Sequence, residues 1–117
     1  MKNKFYEFTQ NNSGGRFAVN EKLCHRLFIE ASSIKEAIRI AEGLGVYFDG
    51  VANGEDCECC GDRWNEPFDS IKLPIKWDNK LSFKTVEEYA QFLAKEYRWL
   101  NPVDVRIFYK NGKVNEY

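Results

Sequence analysis

The fold is organised around a central segment with the sequence Gly54-Glu55-Asp56-Cys57-Glu58-Cys59-Cys60-Gly61-Asp62-Arg63-Trp64. This segment contains three of the four cysteines of the 117-residue chain. Residues 49–69 as a whole show neither the 3.6-residue period of a helix nor the alternation of a strand. The sequence therefore predicts a long loop here, called the acidic loop below, with a shape set by function or by a bound metal.

Two strands are predicted before the acidic loop. Residues 5–9 are rich in aromatic side chains, and residues 23–30 alternate between a more apolar and a more polar face. His25 belongs to the more apolar face, which is expected to point inward. Residues 10–15 are rich in asparagine and glycine and predict a turn, because both residue types tolerate a positive φ.

Two helices are predicted, each from a capping box at its start. Ser33 and Glu36 open the first helix, and Gly43 is expected to take the left-handed conformation after its end. Thr85 and Glu88 open the second helix. Apolar residues follow each box at helical spacing: Ile34, Ala37, Ile38 and Ala41 in the first helix, and Val86, Tyr89, Ala90, Leu93 and Tyr97 in the second.

The chain closes with a predicted hairpin. Residues 103–109 alternate as a strand, and Asn111-Gly112 is a favoured two-residue hairpin turn. A chain of this length can bury one core. The sequence therefore predicts a single α+β domain, residues 1–117, with a mainly antiparallel sheet, two helices packed on one face and a long cysteine-bearing loop.

The cysteines of the acidic loop predict half of a metal site. Cys57 and Cys60 have the Cys-x-x-Cys spacing with which two thiolates hold one Zn²⁺ ion. No second pair follows downstream, so a complete site needs other ligands. We expect His25 as the third ligand and Cys59 or water as the fourth. A buried core histidine is the alternative interpretation of His25, and the acids around the cysteines disfavour a redox pair.

Two further segments have the chemistry of a binding site. Asn11, Asn12, Ser13, Gly14, Gly15 and Arg16 form a turn whose N–H groups, polar side chains and one fixed charge could hold an anion. A plain hairpin loop is the alternative. Asp62, Arg63 and Trp64 are candidates for the same site, since the guanidinium could meet phosphate and the indole could stack on a ligand. Trp64 is equally consistent with an apolar anchor for the loop.

The charge distribution limits the classes of partner. The acidic loop has seven acidic residues and only Arg63 as a basic one, while the rest of the chain has an excess of basic residues. Nucleic-acid binding normally needs a concentrated basic face, so it is not expected. No segment approaches the roughly 20 apolar residues of a membrane-spanning helix, and the start lacks the apolar run of a signal peptide. A soluble intracellular protein with no membrane partner is expected.

Four segments together resemble a family of small proteins encoded by tailed bacteriophages. They are residues 5–15 (FYEFTQNNSGG), 23–26 (LCHR), 45–50 (GVYFDG) and 56–64 (DCECCGDRW). The resemblance implies an accessory protein made in the cytoplasm of a host bacterium. It also implies host takeover or the blunting of a host defence, by binding a nucleotide signal or a host protein.

Three functional hypotheses follow from these patterns. The first is a binding protein whose pocket takes a small nucleotide-like anion or a segment of a host protein. The second is an inhibitor whose acidic loop mimics nucleic acid and docks on a basic host protein. The third is a zinc-dependent hydrolase, which needs an open coordination position and a general base. Since neither a nucleophile elbow nor a carboxylate pair is present, a non-enzymatic role is favoured, and homo-oligomerisation stays open.

Overall fold

A computed structural model describes residues 3–11, 17–56, 58, 61–96 and 103–117. In chain order, the elements are β1 (Lys4–Gln10), β2 (Arg26–Ala31), α1 (Ile34–Leu44), β3 (Trp64–Asn65), β4 (Ile75–Lys76), β5 (Ser82–Phe83), α2 (Val86–Glu96), β6 (Val105–Phe108) and β7 (Val114–Glu116). Five strands form one sheet in the order β3-β1-β2-β6-β7, and β4 and β5 form a separate two-stranded ladder. Among the described strands, only β2 and β6 pair in parallel, so the sheet is mixed but mainly antiparallel.

The predicted α+β fold is confirmed, with a correction to the placement of its helices. Leu27 and Ile29 of β2 belong to the buried cluster that α1 covers, whereas Phe28 between them belongs to the cluster that α2 covers. Because neighbouring residues of a strand point to opposite faces, the helices lie on opposite faces of the sheet. The prediction that both pack on one face is therefore wrong. The near-continuous apolar run in β2 reflects burial from both sides.

Both helices begin with the N-cap hydrogen bond that the sequence predicts, but the glutamate of each box accepts from the N–H of the residue before the N-cap. Ser33 Oγ accepts a hydrogen bond from the N–H of Glu36, and the Glu36 carboxylate accepts one from the N–H of Ser32. In α2, Thr85 Oγ1 accepts from the N–H of Glu88 at 3.1 Å. These bonds satisfy N–H groups that have no partner inside the helix.

Two chain reversals differ from the predictions. Gly45, and not Gly43, takes the left-handed conformation after α1, with φ 117°. The helix continues because Leu44 still packs against the core. In the terminal hairpin, Tyr109 N–H donates to Lys113 O, which leaves three residues in the loop and places Gly112 at φ 93°. Glycine adopts this positive φ at no steric cost.

Two apolar clusters fill the space between the sheet and the helices. The α1 side contains Tyr6, Phe8, Leu27, Ile29, Ala37, Ala41 and Trp64, among others. The α2 side contains Phe28, Val86, Ala90, Leu93, Ala94, Val105 and Ile107. None of the described helices is long and apolar enough to cross a membrane.

Candidate binding site at the acidic loop

Two segments that the sequence assigned to one site meet at the end of β1. β3 pairs with β1 so that Gln10 lies opposite Trp64. The backbone N–H of Asn11 donates to Arg63 O at 2.7 Å, and its side-chain amide donates to Asp62 O. The acidic loop therefore returns to the first strand. This return brings together Asn11, Asp62, Arg63 and Trp64, four of the residues predicted to bind a ligand.

Apart from His25, the other residues predicted for the anion and zinc sites lie outside the described part of the chain. They are Asn12, Ser13, Gly14, Gly15 and Arg16 of the anion loop, and Cys57, Cys59 and Cys60 of the zinc site. Among the described residues, no three histidine, cysteine, aspartate or glutamate side chains form a group that could hold a metal ion. Zinc binding stays a prediction, which elemental analysis of the purified protein with reduced thiols tests.

Gln10 connects β1, residues 17–24 and the acidic loop beside the site, a role that the sequence pattern did not predict. Its side-chain Nε2 donates to the carbonyl oxygens of Ala18 and Cys24, each at 2.8 Å. Its Oε1 accepts from the N–H of Ala18 at 2.7 Å and from Nη1 of Arg63 at 3.1 Å. Gln10 is only 3% exposed, and these four bonds use its full hydrogen-bonding capacity. Residues 17–24 and the acidic loop are thereby tied to β1.

The Asp56 carboxylate plays the corresponding role inside the acidic loop. Its Oδ1 accepts from the hydroxyl of Tyr47 at 2.7 Å, and its Oδ2 accepts from the backbone N–H of Arg63 at 2.8 Å. Burial, and then the hydrogen bond to Asp56, raises the pKa of Tyr47. Asp56 therefore joins the beginning of the loop to its end. Nothing in the sequence pattern distinguished this acid from its neighbours.

Gly50 allows the loop to close around Asp56. Its carbonyl oxygen accepts from the N–H groups of Glu55 at 2.7 Å and of Asp56 at 3.0 Å. A Cβ atom at position 50 would lie 1.8 Å from Asp56 Oδ2 and 2.8 Å from Cε2 of Tyr47. Only a residue without a side chain fits this close approach. A second contact, from Val51 N–H to Asp62 Oδ1 at 2.9 Å, holds the far side of the loop.

An open cleft of about 690 Å³ lies along the outer side of this loop. We call it the acidic cleft. It is lined by Phe48, Asp49, Asp62, Trp64, Asn65, Glu66, Pro67 and Phe68. These residues include three carboxylates and three aromatic rings but no lysine or arginine. The electrostatic environment of the described cleft therefore favours a cation over an anion.

Arg63 and Trp64 are engaged in internal contacts. The Arg63 guanidinium donates to Gln10 Oε1 and also hydrogen-bonds to the side chain of Tyr47. Trp64 is 3% exposed and belongs to the core on the α1 side, so it anchors the loop, as the apolar alternative predicted. Its buried indole Nε1 makes no hydrogen bond to any described residue. The exposed aromatic ring is instead Phe68, whose side chain is fully accessible.

His25 and Cys24 lie immediately before β2, close to the same end of β1. The ring of His25 stacks on that of Phe17, with centroids 4.1 Å apart and planes 20° apart. Burial, and then the positive charge of Arg26, lowers the pKa of His25 to about 4. Burial raises the pKa of the Cys24 thiol to about 12, and the thiol donates to Arg26 O. Cys24 is therefore a small buried apolar group, while His25 is neutral at neutral pH and so retains the form that binds metals.

The comparison with protein families identifies the chain. A family model described as "Domain of unknown function (DUF7296)" matches residues 3–117. The chain belongs to the DUF7296 family. The match includes residues 5–15, 23–26, 45–50 and 56–64, which carry the resemblance described above, and it extends through α2 and the terminal hairpin. No curated protein and no solved structure matches the chain.

Proposed function

We propose that the protein acts by binding, and that its acidic cleft docks on a basic segment of another protein. The observation that carries this proposal is the chemistry of the cleft, which combines three carboxylates with aromatic rings. Asp49, Asp62 and Glu66 form no ion pair with any described residue. Their charge is therefore open to a cationic partner, which would approach faster and dock more specifically than a neutral one.

The same charges act against a phosphate-bearing ligand in this cleft. The one basic side chain of the loop, Arg63, donates its hydrogen bond to Gln10 within the protein. A nucleotide-like anion would therefore meet uncompensated carboxylates in the described cleft. Binding of such an anion by Asn12, Ser13, Gly14, Gly15 and Arg16 stays a prediction, because those residues lie outside the described part.

The resemblance to proteins of tailed bacteriophages supports a biological setting for this binding. In that setting the protein is an accessory protein made in the cytoplasm of a host bacterium, and its partner is a host protein. Binding would serve host takeover or the blunting of a host defence. Mimicry of nucleic acid by the acidic loop fits this setting, since proteins that bind DNA or RNA present basic surfaces.

Titration of charged probes tests the binding function. An arginine-rich nonapeptide, a glutamate-rich nonapeptide and ATP are titrated separately, in about 50 mM and then about 300 mM NaCl. We expect only the arginine-rich peptide to bind, and its dissociation constant to rise roughly tenfold at the higher salt because the charges are screened. Binding of ATP in preference to the peptide would contradict the proposal, and so would the absence of binding by all three probes.

A pair of charge variants locates the binding. Asp49→Asn combined with Glu66→Gln removes two charges from the cleft, and Glu42→Gln combined with Glu96→Gln removes two exposed charges from α1 and α2. Exposed charges contribute about 0.2–1 kcal/mol each, so the first pair should weaken peptide binding roughly twofold to thirtyfold. The second pair should leave it unchanged. Equal effects of the two pairs would point to net charge alone and would contradict docking at the cleft.

A further inference from the structure

We infer that the acidic cleft recognises the side chain of an arginine, and that Phe68 provides the surface on which the guanidinium stacks. This inference rests on the proposed function and specifies the chemistry of the partner. It begins with the position of Phe68, whose side chain is fully accessible although it is large and apolar. Phe68 borders the same cleft as Asp49, Asp62 and Glu66. An aromatic face beside carboxylates is the combination that holds a guanidinium group.

Arginine fits these groups better than lysine does. A guanidinium is planar and has five N–H donors, so one face can stack on an aromatic ring while its edge donates two bonds to a carboxylate. A lysine ammonium is a compact, strongly hydrated charge that cannot stack in this way. The cleft provides both groups that a guanidinium needs: carboxylates that accept from its edge and aromatic rings on which its face can stack.

The indole of Trp64 offers an independent reason to expect a peptide. Trp64 lines the cleft but is only 3% exposed, and its Nε1 has no acceptor among the described residues. A buried donor without a partner is unfavourable, so a ligand atom that satisfied it would gain affinity. The Nε1 atom is closed to solvent, so a carbonyl oxygen of a peptide in the cleft would accept from this N–H only after a local movement of the cleft wall.

Chemical-shift titration of the ¹⁵N-labelled protein tests the inference. The probes are three blocked heptapeptides that differ only in a central arginine, lysine or citrulline, the last having the shape of arginine without its charge. The indole resonance of Trp64 is assigned by comparison with Trp64→Phe. We expect the arginine peptide to shift this resonance, the lysine peptide to bind severalfold more weakly, and the citrulline peptide to leave the spectrum unchanged.

Three variants isolate the role of Phe68. Phe68→Ala should weaken binding of the arginine peptide roughly twofold to fivefold, the effect of losing an exposed cation–π contact. Phe68→Tyr should retain binding, because it keeps the ring. Leu73→Ala, which truncates an exposed apolar side chain outside the cleft, should have no effect. Both positions are exposed, so folding should not limit the comparison.

The outcomes separate this inference from the proposed function. If arginine and lysine peptides bind equally, or if Phe68→Ala binds as well as the wild type, arginine recognition is overturned while docking on a basic partner stands. If the citrulline peptide binds as tightly as the arginine peptide, a neutral segment occupies the cleft and both fail. If no basic peptide produces a salt-sensitive shift, both also fail.

Discussion

The α2 side of the sheet and the acidic loop are held together by different kinds of contact. On the α2 side, aromatic rings pack in a chain: Phe28 contacts Tyr89, and both Tyr89 and Phe92 contact Phe83 and Trp77. The acidic loop is instead shaped by hydrogen bonds from a few side chains, chiefly those of Gln10 and Asp56.

This difference determines what each region tolerates. Apolar packing depends on volume, so another apolar residue of similar size can replace the original at a small cost. A hydrogen-bonded loop depends on particular atoms, and the loss of one acceptor leaves donors without partners. We therefore expect the α2 side to respond to the size of a substituted side chain. The acidic loop should respond to its chemistry, except at Gly50, where Asp56 and Tyr47 leave no room for a side chain.

The largest effect is expected from truncation on the α2 side. Leu93 is 1% exposed, and Leu93→Ala should lower the free energy of unfolding by about 2–5 kcal/mol because it removes apolar contacts and leaves a cavity. Leu93→Met keeps most of the volume and should cost less than about 1.5 kcal/mol. Urea denaturation measures both. Equal destabilisation by the two variants would contradict a dependence on volume.

Gly50→Ala should be the next most damaging change. The new Cβ would lie 1.8 Å from Asp56 Oδ2, so either the carboxylate or the backbone must move. We expect a loss of about 1–3 kcal/mol in the free energy of unfolding. Gly43→Ala is the matched control. It lies inside α1 with no atom within 4 Å of the added Cβ, and it should stabilise the protein by up to about 1 kcal/mol. Loss of stability in Gly43→Ala, or none in Gly50→Ala, would contradict this account.

The Asp56 carboxylate permits a test of chemistry at nearly constant volume. Asp56→Ala removes the acceptor for both the Tyr47 hydroxyl and the Arg63 N–H, and it should cost about 1–3 kcal/mol of unfolding free energy. Asp56→Asn keeps one acceptor for Arg63 N–H and lets the tyrosine hydroxyl accept from the new amide, so it should recover most of this loss. Tyr47→Phe removes a single bond and should cost about 1 kcal/mol. If Asp56→Asn were as damaging as Asp56→Ala, the charge and not the hydrogen bonds would stabilise the loop.

At neutral pH no effect is expected from the titration of His25, and its effect on stability appears only as the pH falls. Its pKa in the folded protein is about 4, below the ordinary value of 6.5, so the native state favours the neutral ring. Its contribution to stability is therefore complete above pH 6.5 and is lost as the pH falls towards 4. His25→Gln should flatten the fall in stability between pH 7 and pH 4 relative to the wild type. An NMR titration that places the pKa of His25 near 6.5 would contradict the expectation.

The sequence predicts the helices well because their signals are local. Each capping box and its apolar stripe lie within a dozen residues, and both helices begin where those signals place them. The side of the sheet on which each helix packs depends on the path of the whole chain. The sequence did contain a clue to this placement. Leu27, Phe28 and Ile29 are all apolar, and such a continuous run indicates a strand that is buried on both faces.

The candidate site was predictable only in part. The convergence of Asn11 with Arg63 follows from the two unusual segments. The role of Gln10 depends on a contact with Arg63, 53 residues away, and the role of Asp56 depends on how the loop folds back between Tyr47 and Arg63. Gln10 could have been placed inward by alternation with Tyr6 and Phe8. The role of Asp56 could not have been predicted, because nothing in the sequence distinguishes this residue from the other six acids of the loop.

The parallel pairing of β2 with β6 has a consequence for how the domain assembles. It joins Arg26 to Val105 in the middle of the sheet, with most of the chain between them. Such a non-local register forms late, after a large entropic cost of closing the intervening chain, and it slows folding. A fragment that ends before residue 103 would expose the inner edge of β2 and would be prone to associate with other strands. The motif-bearing first half is thus expected to depend on the last fifteen residues to reach its native state.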